Sequence, residues 1–147
     1  MNTINLGPSA TELDAKYSAI TDITNRRRAL LTDVTQFYNS TNRAFWDHAK
    51  QKTSNPDDKP SKCTYAATDS SPGCAIGRCI INRAPIANRN AGVYGVLEHL
   101  PKWMKEMDSM FLSEVQALHD YDKAWTESGI SDLGKEYAKR IFKSFCQ

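Results

Sequence analysis

No stretch of this 147-residue chain approaches the ~18–20 consecutive apolar residues of a membrane-spanning helix. Its first residues, MNTINLGPSATELD, lack both the basic start and the apolar centre of an export signal. The expected setting is therefore the cytoplasm, with no membrane. An excess of one charge is missing too: 19 Lys and Arg stand against 17 Asp and Glu, for a formal charge of +2. The isoelectric point of about 8.3 lies below the roughly 9 typical of nucleic-acid modules. Nucleic acid is not the expected partner, and the run Arg26-Arg27-Arg28 reads most simply as a solvated helix face. There is no internal repeat, no C-x2-C knuckle and no familiar catalytic signature. What is present is 40% hydrophobic and 24% charged residues. That composition excludes disorder for most of the chain and supports one ordinary core, hence a single domain over 1–147.

The pattern predicts a mainly α (α+β) fold, a helical domain with one small β-hairpin. Ser9 and Glu12 have the S-x-x-E spacing of a capping box. Leu13, Tyr17, Ile20, Ile23, Leu30, Leu31, Val34, Phe37 and Tyr38 follow in three- and four-residue steps, as one long helix or two, with Asn25 the expected interruption. Asn39 to Asn42 is a turn and cap cluster, and 43–51 reads as a short helix burying Phe45 and Trp46. Residues 52–62, with two prolines and little to bury, predict a mobile loop. The hairpin is expected between Cys63-Thr64-Tyr65-Ala66 and the apolar run Cys74 to Ile81, leading into a buried turn or short helix. Gly73 marks a turn needing positive φ. Further on, Pro101 suits the start of a helix, Asp108 or Ser109 caps the next, and Phe111, Leu112, Val115 and Leu118 form its apolar stripe. Ser131 caps a last helix in which Leu133, Tyr137, Ile141 and Phe145 recur in fours.

Charge is distributed unevenly in the second half: residues 106–132 hold seven acids and one base, residues 133–147 four bases and one acid. The acidic block is expected to neutralise basic residues within the fold or on a partner.

Few side chains suggest chemistry. Cys63, Cys74 and Cys79, with His119, form a possible zinc set, because Zn²⁺ takes soft S and N ligands. Their C-x10-C-x4-C spacing lacks the zinc knuckle and reads first as three buried thiols, with zinc or a disulfide as the alternatives. Gln116 and His119 share a helix face, and Asp120 follows directly. A His beside a carboxylate serves acid–base work or simply a structural bond to the backbone. Cys74, His119 and Asp120 make a conceivable nucleophile set, but Ala75 and Ile76 beside Cys74 point to burial. Arg78 is conspicuous within the most apolar segment of its half. A buried guanidinium needs a partner, either an internal carboxylate such as Asp120 or Glu114, or an anionic ligand. The expectation is one polar pocket beneath the hairpin, where Asp120 holds Arg78 and leaves His119, with Asn42 and Arg43, to face a ligand or partner.

Taken in order, Cys63-x-Tyr65, then Gly73-Cys74-Ala75-Ile76-Gly77-Arg78, then Gln116 with Leu118-His119-Asp120, resemble a loose group of small bacterial and bacteriophage proteins. Members carry C-x-Y, a short turn, C-A-[IV]-G and a later helix with L-Q-x-x-H-D. Tyr38-Asn39 and Asn42-Arg43 are similar to the group's upstream helix end. The resemblance implies a phage or mobile-element origin and supplies no catalytic residue. The expectation is a small non-enzymatic binding protein that interferes with a host process, anti-defence being one such process, with a host protein as partner and no cofactor. The alternatives are a protein that sequesters an anionic or nucleotide-like small molecule, and a thiol- or zinc-dependent enzyme. The candidate ligand- or partner-binding residues are Asn42, Arg43, Arg78, Gln116, His119 and Asp120.

Overall fold

The computed structural model describes residues 7–43, 73–81 and 93–147. The expected mobile loop at 52–62, the short helix over 43–51 beyond its first residue, and the Cys63-Thr64-Tyr65-Ala66 strand lie outside the described residues. Helix α1 spans Ala10–Ser18 and opens on the capping box: the Glu12 amide donates to Ser9 Oγ at 3.1 Å and the Ser9 amide to Glu12 Oε1 at 3.3 Å. Helix α2 spans Ile23–Phe37. The break between them falls at residues 19–22 rather than at Asn25. Asp22 accepts from the Asn25 amide at 2.8 Å, so Asn25 is the receiving residue of an N-cap and lies inside the helix.

The apolar segment Cys74 to Ile80 is a buried turn followed by the 3-10 helix Gly77–Cys79. Gly73, at φ 92°, makes the entry that a side chain would oppose. A second 3-10 stretch covers Val93–His99, and Pro101 then caps the short helix α3, Lys102–Lys105. Helix α4, Ser109–Asp120, is capped by Asp108, and its stripe Phe111, Leu112, Val115 and Leu118 is buried as its spacing requires. Among the described residues a hairpin forms at a place the sequence had not marked. Strands β1, Trp125–Thr126, and β2, Gly129–Ile130, pair antiparallel with Trp125 opposite Ile130 and Thr126 opposite Gly129. The Trp125 side chain enters the core, its indole donating to the Leu118 and His119 carbonyls at 3.1 Å each, and Ile130 packs against the same core. Helix α5, Asp132–Phe145, follows from the Ser131 cap. Of its four-residue series Ile141 is buried, whereas Leu133 is exposed on the first turn.

One core joins α1, α2, the 74–80 turn, α4 and α5, centred on Tyr17, Leu30, Tyr38, Ile76, Met104 and Phe111. The arginine triplet is only in part a solvated face, with Arg28 exposed and Arg27 half-buried. Arg26 is buried, with Nε on the Ile20 carbonyl at 2.9 Å and Nη1 on the Trp103 carbonyl at 2.8 Å. Arg27 and Arg28 donate to the Phe145 and Cys146 carbonyls, at 3.4 and 2.5 Å, where they satisfy acceptors at the end of α5 and oppose its dipole. No helix among the described residues is long and apolar enough to cross a membrane.

Gly134 locks α5 onto the hairpin. A Cβ built there meets the Ala124 carbonyl oxygen and Ile130 Cγ1, each at 2.5 Å. On an open helix face Gly→Ala would stabilise by about 1 kcal/mol. Here the sign reverses: Gly134→Ala is expected to destabilise by about 1–3 kcal/mol through overpacking, measured by urea unfolding.

Candidate functional site

The end of α2 carries two consecutive aromatics, and the polar residues singled out from the sequence gather around them. Tyr38 is buried, and its hydroxyl donates to the Gly73 carbonyl at 2.8 Å, tying α2 to the 74–80 turn. The Arg78 guanidinium lies 4.0 Å from the Phe37 ring centroid and 5.7 Å from that of Tyr38. The His119 imidazole meets the Tyr38 ring edge-on at 4.7 Å, and Trp125 meets it at 6.0 Å. Arg78 and His119 therefore both pack on the Tyr38 ring, although they stand 41 positions apart in the chain.

Asp120 is not the counter-charge of Arg78. Its Oδ1 accepts from Gln116 Nε2 at 3.0 Å and lies 2.9 Å from His119 Nδ1, and no ion pair joins it to Arg78. The local helix geometry explains the difference. Gln116 and Asp120 are one turn apart on α4 and His119 is adjacent, so the carboxylate is engaged within its own helix. Arg78 is 6% exposed, and its Nη1 has no hydrogen-bond partner. Its charge rests on ring faces, as cation–π packing allows.

Protonation follows from the same contacts. The Ile76 amide donates to Gln116 Oε1 at 3.3 Å, which assigns Nε2 as the end facing Asp120. With Asp120 ionised, His119 Nδ1 carries the proton and donates, and the 3.4 Å approach of Gln116 Nε2 to Nδ1 joins two donors and is no bond. His119 Nε2 is then a bare acceptor, and it is buried without a partner. Burial pushes the His119 pKa below its ordinary 6.5, against the pull of the Asp120 bond and charge in the other direction. Burial likewise raises Asp120 above its ordinary 3.8, opposed by the His119 and Gln116 bonds.

A histidine whose pKa is lower folded than unfolded contributes stability that is fully present above the unfolded value. That stability is lost as pH falls below 6.5 toward the folded value, because the unfolded chain takes up the proton first. Unfolding free energy is expected to decline between pH 7.5 and 5.5, at up to about 1.4 kcal/mol per pH unit below 6.5. In His119→Gln the decline should be smaller. An unchanged slope in urea titrations of that variant would show that His119 is protonated in the fold.

The other candidates are engaged locally. Asn42 closes the end of α2: its Oδ1 accepts from the Asn39 amide at 2.7 Å and its Nδ2 donates to the Phe37 carbonyl at 2.9 Å. Arg43 reaches the His119 carbonyl at 3.1 Å and ion-pairs with exposed Asp122. Cys74 Sγ accepts from the Gly77 amide at 3.3 Å, and Cys79 Sγ lies 3.8 Å from the Ala75 carbonyl. Cys74, Cys79 and Cys146 are buried, and burial pushes the Cys146 pKa up. Among the described residues no group of three or more His, Cys, Asp or Glu converges as metal ligands, and Cys63 lies outside them.

The sequence had not marked Phe37 or Trp125 as parts of this site. The adjacent aromatics at the end of α2 were the available signal, since the first lies on the α2 face and the second in the extended cap. Comparison with known protein families, curated proteins and solved structures finds no match for this chain.

Proposed function

We propose that this chain is a small binding protein that acts without catalysis, of phage or mobile-element origin, and that it interferes with a process in the host cytoplasm by occupying a host protein. The origin and the kind of process, anti-defence included, rest on the resemblance of the motifs. The single observation that carries the non-catalytic part is the complete burial of His119. A general base must reach the proton it removes, and this imidazole is enclosed by Tyr38, Gln116 and Asp120. The buried thiols support the same reading, because reactive cysteines sit in exposed, electropositive surroundings. Nor does the basic triplet favour nucleic acid, since its guanidinium groups are spent on backbone carbonyls.

One observation favours a second reading. The buried Nη1 of Arg78 and Nε2 of His119, both without a hydrogen-bond partner and both on residues packed against Tyr38, suit an anionic, nucleotide-like molecule with a hydroxyl to donate. Native mass spectrometry of freshly purified protein, followed by capture from a bacterial lysate, separates the two. The binding-protein reading expects the bare chain mass and one stoichiometric host protein. A retained phosphate- or carboxylate-bearing mass, lost in Arg78→Met, would move the conclusion to ligand sequestration. Stoichiometric zinc, or thiol-sensitive turnover, would overturn both.

A further inference from the structure

Away from the buried cluster, α2 and α5 leave an open groove between them, floored by Leu31, Ala138 and Phe142 and closed at one end by Ile130. Phe142, in the last turn of α5, is 42% exposed, a large apolar side chain left open to solvent. The α5 side is a stripe of Lys135, Ala138, Lys139 and Phe142, at the i, i+3, i+4, i+7 spacing of one helical face. The α2 side is uncharged where it lines the groove, with Thr32, Thr35 and Gln36.

We propose that this groove is the docking surface for an acidic amphipathic helix of a partner protein. The inference rests on the binding-protein reading and names the chemistry of its partner. Charge decides the sign of the occupant. Lys135 and Lys139 line the groove, and the Arg28 guanidinium lies 5.7 Å from the Phe142 ring centroid, at the end of the same stripe. Asp33 on α2 is turned away and is held by Lys16 and Tyr17. Glu136 forms an exposed pair with Lys139 at 3.3 Å, and such pairs are weak enough to exchange. Shape decides the element. Two packed helices present an elongated trough into which a third lays one apolar face, with anchors at i, i+3, i+4 and i+7. The partner's leucine-type anchors would cover Phe142 and Ala138, and its carboxylates would flank them against Lys135 and Lys139.

The test uses the full chain, isotope-labelled, with two model peptides of about four helical turns. Both carry leucines at the four anchor positions; one has glutamates elsewhere and the other lysines. The glutamate peptide is expected to shift the backbone amide signals of Thr35, Ala138 and Phe142 in a saturable way, and the lysine peptide to leave them in place. The exposed double variant Lys135→Glu with Lys139→Glu, checked for wild-type circular dichroism, should weaken the glutamate peptide at least tenfold. Shifts confined to other surfaces, equal binding of both peptides, or no shift would overturn the proposal. Shifts of these same amides on simple dilution of the protein would also overturn it, by showing a second copy as the occupant. The lysate capture keeps the two failures apart. A host protein retained in full by the double variant sinks the groove alone, whereas no captured protein with wild type sinks the binding-protein reading.

Discussion

Arg78→Ala is expected to destabilise the protein by about 2–3 kcal/mol, while Arg78→Met leaves its stability unchanged or raises it by up to about 1 kcal/mol. The two outcomes differ because the side chain contributes volume and ring contact rather than an ion pair. Alanine opens a void against Phe37 and Tyr38, the latter almost wholly buried, and removes the cation–π contact at 4.0 Å. Methionine refills most of that space with a soft, unbranched chain that packs well on aromatic edges. It also removes a buried N–H that has no acceptor, the kind of group whose desolvation costs about 1–3 kcal/mol. Urea unfolding of both variants decides it. A methionine variant as unstable as the alanine one would show that the charge itself is paired. The same geometry predicts a coupling energy near zero in a double-mutant cycle of Arg78→Met with Asp120→Leu, because the two side chains belong to separate contact sets.

Asp120→Leu is expected to cost about 3 kcal/mol, and Asp120→Asn less than about 1 kcal/mol. Asp120 Oδ1 is the acceptor for the Gln116 amide and the His119 Nδ1 proton, and both donors are buried. Leucine leaves the two buried donors without this acceptor. Asparagine keeps an oxygen at the same place, so both bonds survive in neutral form. Equal losses in the two variants would show that the negative charge, not the acceptor, holds the network together.

Much of the architecture was legible because it is set by local chemistry. The Ser9–Glu12 box, the Asp108 and Ser131 caps and the α4 stripe depend on spacings of three and four residues, which a helix translates directly into contacts. Gly73 and the buried turn at Cys74 to Ile80 were legible for a related reason, since positive φ and an unbroken apolar run each have one inexpensive solution. The errors fall where a residue had several possible partners. Asn25 looked like a helix breaker until Asp22 made it the receiver of a cap. The arginine triplet looked solvated, yet the carbonyls of Ile20, Trp103 and Cys146 come within reach only when the chain is folded.

The sequence alone determined that the fold is mainly helical, that Arg78 lies in an apolar segment, and that Gln116 and His119 share a helix face. Each of these follows from composition or from short-range periodicity, which survive without knowledge of what lies opposite. Only the tertiary structure decided that a hairpin forms at Trp125–Ile130 and that Phe37 and Tyr38, not Asp120, receive Arg78. The physical reason is that a carboxylate takes the donors its own helix brings to it, while a guanidinium carried on a distant turn settles on whatever surface the core presents.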